Sequence, residues 1–181
     1  TQDTPIIKGI YEWSLRASGG THRTAMEILG GRAQVGFNPL GGFHHALPGN
    51  AEGFCYVNDI VIAILDALRT YPGIKIAYVD FDAHHGNGVQ EAFYEDPRVL
   101  FISVHETGRI LYPWSGSETE IGKGAGEGYT VNVPLEPGTD DEVYSYVLDS
   151  AVFPILKAFA PDFIVAEIGA DTLISDPLTH L

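Results

Sequence analysis

Two aspartates and two histidines lie close together in the segment YVDFDAHHGNG, at positions 78–88. Three of these side chains, Asp80, Asp82 and His84, are spaced two residues apart, so they would share one side of the chain if the preceding strand continued through them. Carboxylate oxygens and an imidazole nitrogen that converge in this way can hold one cation. The same composition would also suit a polar loop that caps a strand, so these residues alone leave both interpretations open.

Two further clusters could add to such a site. The segment GGFHHA at 41–46 contains adjacent histidines, His44 and His45, which could act as a general acid and base. By itself, a pair of histidines is also a common packing or surface feature. Asp171 ends the segment EIGAD, just beyond an apolar run, and could supply a third ligand to the cation.

Apolar, β-rich runs precede these clusters and are expected to position them. We predict five strands, at residues 33–37, 74–79, 99–104, 129–133 and 163–168. Two stretches have apolar residues at helical spacing and are predicted helices, 56–68 and 140–159. This alternation indicates an α/β fold in which a mostly parallel sheet carries helices on both faces. Ligands bind at the carboxyl ends of such strands, and all three clusters follow predicted strands.

Composition limits the classes of function. The 181 residues are 45% hydrophobic and 19% charged, which is enough for one domain with a substantial core. Ten lysines and arginines are set against 24 aspartates and glutamates, and the net charge of −14 argues against direct nucleic-acid binding. An acidic surface attracts cationic substrates such as lysine-rich peptides or polyamines, although it also serves solubility.

Cysteine usage and the short apolar runs indicate a cytoplasmic protein with no membrane span. Cys55 is the single cysteine, so no internal disulfide can form, and its apolar context favours a buried packing role. The apolar runs are far shorter than the roughly 20 residues of a membrane helix. The chain begins with Thr1, and its first residues lack the pattern of a signal sequence, so we expect a fragment of a longer protein.

Five strings of residues occur in the order found in the histone deacetylase family: GGFHHA, GFCYVNDI, YVDFDAHHGNGV, VNVP and GADTLISDPL. The segment DPLTHL resembles the bacterial members, the acetoin utilization proteins. The resemblance covers most of the chain and implies a metal-dependent deacetylase with the three-layer arginase/deacetylase fold. It also implies one partial catalytic domain over 1–181, without the family's N-terminal part and its glycine-rich segment with the catalytic tyrosine. We therefore expect the 181 residues alone to be nearly inactive.

The resemblance implies a set of metal ligands. Asp82, His84 and Asp171 match the family's ligands for zinc, and this oxygen and nitrogen donor set also suits iron(II). Three protein ligands leave room for water and for the carbonyl oxygen of an amide. Glu167 stands where many relatives have glutamine.

His44 and His45 match the family's catalytic pair. Asp80 matches the carboxylate that orients the first histidine, and Asn87 stands where many members have an aspartate that orients the second. An anionic partner favours the charged form of His44, whereas a neutral amide leaves His45 more readily neutral. His45 is therefore the expected general base, and His44 the expected electrostatic element.

Four residues match the channel that takes the acylated lysine. Gly53 matches a glycine that lines it, and Phe54 and Tyr112 match its aromatic walls. Leu178 occupies a gatekeeper position where polyamine-selective relatives have a glutamate that pairs with the distal ammonium of the substrate. Leu178 therefore favours acetyl-lysine in peptides or proteins as the substrate. Acetylpolyamines and small acetylated metabolites stay open as alternatives.

The resemblance further implies two structural potassium sites. The first would use four backbone oxygens, from Asp80, Asp82, His84 and Val104, together with the hydroxyl of Ser103. The second would use backbone oxygens at Phe93, Asp96, Val99 and Tyr129.

Two other classes of function compete with a deacetylase. An arginase-like enzyme binds two manganese ions through Asp-x-His-x-Asp patterns, but Gly86 stands where the bridging carboxylate would be. A non-catalytic acetyl-lysine binding or assembly module would keep the pocket without turnover. The sequence does not indicate an oligomeric state.

Overall fold

The computed structural model describes residues 1–181, which divide into two compact units, residues 1–74 and 75–181. The regular structure of the first unit is helical, and the second unit is a parallel sheet with helices. None of the helices combines the length and the hydrophobicity that crossing a membrane requires.

Helices α1 (Ile10–Leu29) and α2 (Asp59–Thr70) pack against each other in the first unit. The buried positions of α1 carry small side chains, which let a neighbouring element approach closely: Ser14, Ala17, Ser18 and Ala25. The buried apolar positions of α2 recur at helical spacing: Ile60, Ala63, Ile64, Ala67 and Leu68.

The predicted helix at 56–68 is confirmed as α2. Helix α2 begins at Asp59, three residues later than predicted, and is capped by Asn58, whose Oδ1 accepts the backbone N–H of Val61 at 3.0 Å. Helix α1 was not among the predicted elements. Gly19 and Gly20 lie in its interior, and each glycine in a helix costs about 1 kcal/mol relative to alanine, which weakens the helical pattern.

The predicted strand at 33–37 is wrong. These residues are irregular, because the first unit offers no strand for them to pair with and contains only isolated β-bridges. Val35 is 85% exposed and Phe37 is 69% exposed, so the apolar alternation does not mark a buried face. His44 and His45 therefore follow a loop, not a strand.

The second unit is built on a four-stranded parallel sheet. Its strands in chain order are β1 (Ile76–Asp80), β2 (Val99–Glu106), β3 (Thr130–Leu135) and β4 (Phe163–Glu167). Their order across the sheet is β3-β2-β1-β4. The other four predicted strands are thus confirmed, although their ends differ from the prediction by one or two residues in several places.

Helices lie on both faces of this sheet, as the α/β prediction requires. On one face, Gln90 of α3 (Asn87–Phe93) accepts a hydrogen bond from Asn132 of β3 at 2.7 Å. On the other face, the helical segment 141–159 packs against an apolar cluster that includes Val79, Ile102 and Val104.

The predicted helix at 140–159 is present, with a change of pitch in its middle. Helices α4 (Asp141–Val147) and α5 (Phe153–Phe159) are joined by a π-helical turn, Leu148–Val152. Pro154 lies at the start of α5, has no N–H, and would clash with a carbonyl four residues earlier in a regular α-helix. The wider π turn relieves this clash and keeps the segment helical.

Candidate metal centre and histidine pair

Asp82 and His84 lie directly after the buried strand β1, in the loop that leads to α3. Oδ1 of Asp82 accepts the backbone N–H of His84 at 2.7 Å. The carbonyl of Ala83, between them, accepts the backbone N–H of Glu106 at 2.9 Å. These hydrogen bonds hold the two side chains at the carboxyl end of the sheet.

Asp171 reaches the same place because β4, which precedes it, pairs directly with β1. Its Oδ1 accepts the backbone N–H of Ala83 at 2.9 Å, and its Oδ2 lies 2.7 Å from Nδ1 of His84. The same Nδ1 lies 3.1 Å from Oδ1 of Asp82. The potential ligand atoms of these three side chains all lie within 4.8 Å of one another. The structure therefore brings the three predicted metal ligands together.

Gly169 makes room for this cluster. A Cβ atom at position 169 would lie 2.1 Å from Oδ2 of Asp82, far inside the contact distance of two atoms. Asp82 can therefore keep its position beside the end of β4 only because residue 169 has no side chain.

The negative charges of Asp82 and Asp171 both act on the imidazole of His84. Burial alone would lower the pKa of His84, but hydrogen bonds to Asp171 and Asp82 and the negative charges of both raise it to about 9. Two carboxylates thus converge on one cationic group, the imidazolium. A divalent transition-metal ion at the same atoms would supply this positive charge, so the donor set fits such an ion.

Asp80 ends β1 and is fully buried. Its Oδ2 accepts the phenol O–H of Tyr78 at 2.5 Å, and its Oδ1 accepts the backbone N–H of Asp82 at 3.1 Å. Burial and the charge of Asp80 raise the pKa of Tyr78 well above its ordinary value. The carboxylate is thus held by two hydrogen bonds, one of them to the backbone of a predicted metal ligand, Asp82. The orienting roles predicted for Asp80 and for Asn87, the first residue of α3, stay predictions.

A buried polar network that the sequence did not predict surrounds Gln90. Its Nε2 donates to Oε2 of Glu120 at 2.6 Å, so its Oε1 accepts from Nδ2 of Asn132 at 2.7 Å and from Nε2 of His85 at 2.9 Å. Nε2 of His85 therefore carries a hydrogen, and its Nδ1 is hydrogen-bonded to the hydroxyl of Ser115 at 2.8 Å.

Glu120 ties this network to the loop that carries Tyr112. Its Oε1 accepts the backbone N–H groups of Gly116 at 3.0 Å and Ser117 at 2.9 Å. Burial alone would raise the pKa of Glu120, but these bonds and the one from Gln90 lower it. The ring of Tyr112 lies 6.5 Å, centroid to centroid, from that of His84. Of the four predicted channel residues, Tyr112 is thus placed beside a predicted metal ligand.

In the first unit, His44 and His45 are both buried, and their Nε2 atoms lie 3.1 Å apart. A hydrogen bond between two imidazole nitrogens needs a hydrogen on one and a lone pair on the other. The two histidines are therefore not equivalent: one donates from Nε2, and the other accepts at Nε2.

Of the remaining predicted channel residues, Gly53 and Phe54 have an unusual backbone conformation. Gly53 and Phe54 have left-handed φ angles of 55° and 63°, a conformation that is strained for an aromatic residue. Asp3 accepts the N–H of Gly53 at 2.7 Å, and the Phe54 side chain is 68% exposed. In the second unit, Leu178 is 58% exposed. The predicted gatekeeper therefore presents its side chain to solvent.

Residues of the first predicted potassium site gather at the ends of β1 and β2, where Ser103 is in register with Asp80. Burial and the nearby charge of His85 lower the pKa of His105 to about 4. Neutral His105 donates from Nε2 to the carbonyl of Gly116 at 3.0 Å, so its Nδ1 accepts the hydroxyl hydrogen of Ser103 at 2.8 Å. The oxygen of Ser103 thus keeps its lone pairs for another partner.

The residues of the second predicted potassium site lie around the turn between α3 and β2. The carbonyl of Phe93 accepts the N–H of Asp96 at 3.0 Å, and that of Asp96 accepts the N–H of Val99 at 3.2 Å. The carbonyl of Tyr129 accepts the N–H of Phe101 at 2.9 Å. Each carbonyl oxygen has a second lone pair, so these bonds are compatible with a cation as a further partner.

Comparison with known proteins extends over the whole chain. The histone deacetylase domain family matches residues 1–181. Acetoin utilization protein AcuC of Bacillus subtilis is 41% identical over 181 residues, which are 100% of this chain and 46% of that protein. A probable deacetylase of Archaeoglobus fulgidus is 45% identical over 183 residues, covering 99% of this chain and 49% of that protein. The crystal structure of an HDAC homolog from Aquifex aeolicus superimposes with a TM-score of 0.93 at 36% identity, covering 100% of this chain and 48% of the other.

The chain therefore belongs to the histone deacetylase family, and its fold is the α/β fold of the arginase/deacetylase class. The resemblance predicted from the five sequence strings is confirmed. The chain spans about half the length of the curated relatives it matches.

Proposed function

We propose that this chain carries the metal centre and the histidine pair of a deacetylase that hydrolyses acetyl-lysine amides in peptides or proteins and releases acetate. The observation that carries the proposal is the convergence of Asp82, His84 and Asp171 at the carboxyl end of a parallel sheet, with their potential ligand atoms within 4.8 Å. Membership of the histone deacetylase family supports the class of reaction.

Asp82, His84 and Asp171 would hold one Zn²⁺ or Fe²⁺ ion. When bound, such an ion is a Lewis acid that activates water and polarises the amide carbonyl. The imidazolium of His84 must first lose its proton at the nitrogen that faces the carboxylates, because a ligand nitrogen offers a lone pair. The two carboxylates keep their charge and balance the positive ion.

We assign the proton transfers to the histidine pair. If His44 is the imidazolium, it donates from Nε2 to Nε2 of a neutral His45 across the observed 3.1 Å. His45 then carries its hydrogen at Nδ1, and the single lone pair of its Nε2 would take a proton from water once it is released from the hydrogen bond to His44. His45 would later return the proton to the leaving lysine amine. The charge of His44 would stabilise the negative oxygen that develops on the carbonyl.

The substrate proposal rests on Phe54, Tyr112 and Leu178. The strained backbone and high exposure of Phe54 support a role for its side chain outside the core. Tyr112 lies beside His84, as a wall next to the reacting amide would. Leu178 offers no charge for the distal ammonium of a polyamine, which favours an acetylated lysine.

The two potassium sites are part of the proposal. The hydroxyl orientation of Ser103, which points its hydrogen toward His105, supports the first site because it leaves oxygen lone pairs for a cation. Two predictions rest on composition alone: that the protein does not bind nucleic acid directly, and that it is cytoplasmic.

Metal binding tests the proposal directly. The metal-free chain titrated with Zn²⁺ in a calorimeter is expected to bind one ion, and Asp171→Asn is expected to weaken binding by more than about 100-fold, beyond the usual effect of removing a residue that only supports a ligand. Asp149→Asn, an exposed carboxylate on the π-helical turn, is the matched control and should bind as the unmodified chain does. Equal affinity of the Asp171 variant would contradict the metal centre.

Turnover is tested on the complete natural protein with an acetyl-lysine peptide. Acetate release that stops on chelation and returns with Zn²⁺ or Fe²⁺ is expected. A protein that binds both zinc and the peptide but releases no acetate would instead be a non-catalytic binding module.

A further inference from the structure

We infer that Asn58 and Asp59, at the start of α2, are positioning residues for the histidine pair. The inference rests on the proposed function of His44 and His45. Gly53 and Phe54 at the start of the motif GFCYVNDI belong to the proposed channel, but its last three residues, Asn58-Asp59-Ile60, have no role in the chemistry described above. All of the contacts that support the inference lie within the first unit.

Asp59 holds the backbone that leads into the pair. Its side chain is fully buried, and its carboxylate accepts the N–H of Gly42 at 3.2 Å and the N–H of Phe43 at 2.8 Å. Thr21 of α1 donates its hydroxyl to the same carboxylate. A buried carboxylate is unfavourable unless donors meet its charge. Two of these three donors belong to the two residues immediately before His44.

Asn58 holds the other side of the same loop. Its Nδ2 donates to the carbonyls of His44 at 3.3 Å and Ala46 at 3.1 Å, while its Oδ1 caps α2 at the N–H of Val61. The amide orientation is determined by these partners, since the backbone N–H can be met only by oxygen and the two carbonyls only by N–H. Carbonyls on both sides of His45 are thus fixed to one side chain.

Gly41 allows the loop to come this close. A Cβ atom at position 41 would lie 2.4 Å from Oδ2 of Asp59 and 2.5 Å from Oγ1 of Thr21. The glycine of GGFHHA and the Asn-Asp of GFCYVNDI therefore form one structural unit. This unit sets the backbone of residues 42–46, from which the 3.1 Å contact between the two imidazoles follows.

Positioning of this kind affects the rate of reaction more than substrate binding. A displacement of about 1 Å of a reacting group can lower a rate on the order of 100-fold. Loss of the Asp59 or Asn58 contacts should therefore lower kcat and leave KM nearly unchanged.

The chain offers a matched pair of substitutions. Asp59 and Asp66 both lie on α2, and each pairs with α1, Asp59 with Thr21 and Asp66 with His22. Only Asp59 also binds the loop. Asp59→Asn leaves one oxygen in place of the two that accept these three donors. Asp66→Asn changes the contacts of Asp66 with His22 of α1 and with Arg69 of α2 itself, and neither partner belongs to the loop. Thr21→Val removes the helix contact of Asp59, together with the hydrogen bond from Asn38 to Thr21, and leaves the bonds of Asp59 to Gly42 and Phe43.

A second variant separates positioning from folding. Asn58→Ser retains a side-chain oxygen that caps α2 but has no group that reaches both carbonyls of the loop. Circular dichroism and thermal unfolding establish that each variant is folded.

The first readout is the imidazole ¹⁵N and ¹H spectrum of the isolated chain across a pH titration, with the signals of His44 and His45 assigned by single substitution. Asp59→Asn and Asn58→Ser are expected to shift these signals and to change their titration, and Asp66→Asn and Thr21→Val are expected to leave them unchanged. Unchanged signals in the first two variants, or an equal change in Asp66→Asn, would overturn the inference.

The second readout is kinetics of the complete natural protein. Asp59→Asn and Asn58→Ser should lower kcat on the order of 10- to 100-fold, with KM within about twofold of the unmodified protein. Normal kcat in both variants refutes the positioning role. Shifted imidazole signals in a protein that never releases acetate would uphold the positioning and refute the proposed function.

Discussion

Nδ1 of His84 lies 2.7 Å from Oδ2 of Asp171, although 87 positions separate the two residues in the chain. The contact exists because β4 pairs in parallel with β1, with Glu167 opposite Asp80, so both strands end at the same edge of the sheet. The order of the strands, and not proximity in the sequence, brings Asp171 to the other two proposed metal ligands.

Gly169→Ala is expected to weaken zinc binding. The added methyl group would lie 2.1 Å from Oδ2 of Asp82 and must displace that carboxylate. We expect a loss on the order of 10- to 100-fold in affinity, as for other changes that reorient a ligand. Zn²⁺ titration of the chain measures it, with Gly19→Ala in α1 as the control, since a Cβ atom there meets no atom within 4 Å. An alanine variant that binds zinc normally would show that Asp82 is not a ligand.

His45→Ala is expected to lower turnover of the complete natural protein more than His44→Ala. Only the first change removes the proposed proton acceptor, and general acid and base catalysis contributes roughly 10²–10⁴-fold. Steady-state kinetics with an acetyl-lysine peptide measures both variants. Small and equal losses would remove His45 from that role.

Glu120→Gln is expected to lower the stability of the fold in a pH-dependent way. The pKa of Glu120 is lowered from 4.5 in the folded protein, so its contribution to stability is present above pH 4.5 and is lost as the pH falls through the lowered value. In the variant, the side-chain N–H₂ of residue 120 faces the N–H₂ of Gln90. The Gln90 amide cannot rotate to offer its oxygen instead, because that oxygen already accepts hydrogen bonds from His85 and Asn132.

Urea unfolding at several pH values measures this effect. The variant should lose about 1 to 2 kcal/mol at pH 7, the lower part of the range for a hydrogen bond to a charged group because Glu120 is only half-buried, and the difference should narrow below pH 4.5. Glu118→Gln, two residues away and exposed, is the control and should show no such dependence. A difference that is the same at all pH values would contradict the assignment.

Leu178→Glu is expected to move substrate preference toward acetylpolyamines. The side chain is 58% exposed, so a glutamate there would carry its charge in solvent and could pair with a distal ammonium. Competition between N8-acetylspermidine and an acetyl-lysine peptide in the complete natural protein measures the ratio of kcat/KM. A preference for the polyamine in the unmodified protein would reverse the proposed substrate class.

The sequence predicted the second unit better than the first. The four strands of the sheet are short runs of apolar, β-rich residues whose flanking helices and turns mark their ends, and buried parallel strands give this pattern directly. The segment 33–37 has apolar residues at every second position, as a half-buried strand would, but a strand also needs a partner, and the local sequence does not report one. The local sequence pattern therefore could not show whether a segment far along the chain would pair with these residues.

The residues of the candidate site also differ in how well the local sequence predicted them. Asp82 and His84 are close in sequence and were recognisable from their own residues, whereas Asp171 was only a candidate until strand order placed it. The network of Gln90, Glu120 and Asn132 gave no signal, because single polar residues in separate segments carry no pattern until the fold joins them.

The pairing of β4 with β1 also determines when, during synthesis of the chain, the proposed metal centre can assemble. Contacts between residues far apart in the chain form late in folding, because a long loop must first be closed. During synthesis, His84 leaves the ribosome 87 residues before Asp171. Until β4 has paired with β1, the nascent chain offers a metal ion only the proposed ligands after β1, so the full set of three proposed ligands exists only once these two strands have joined.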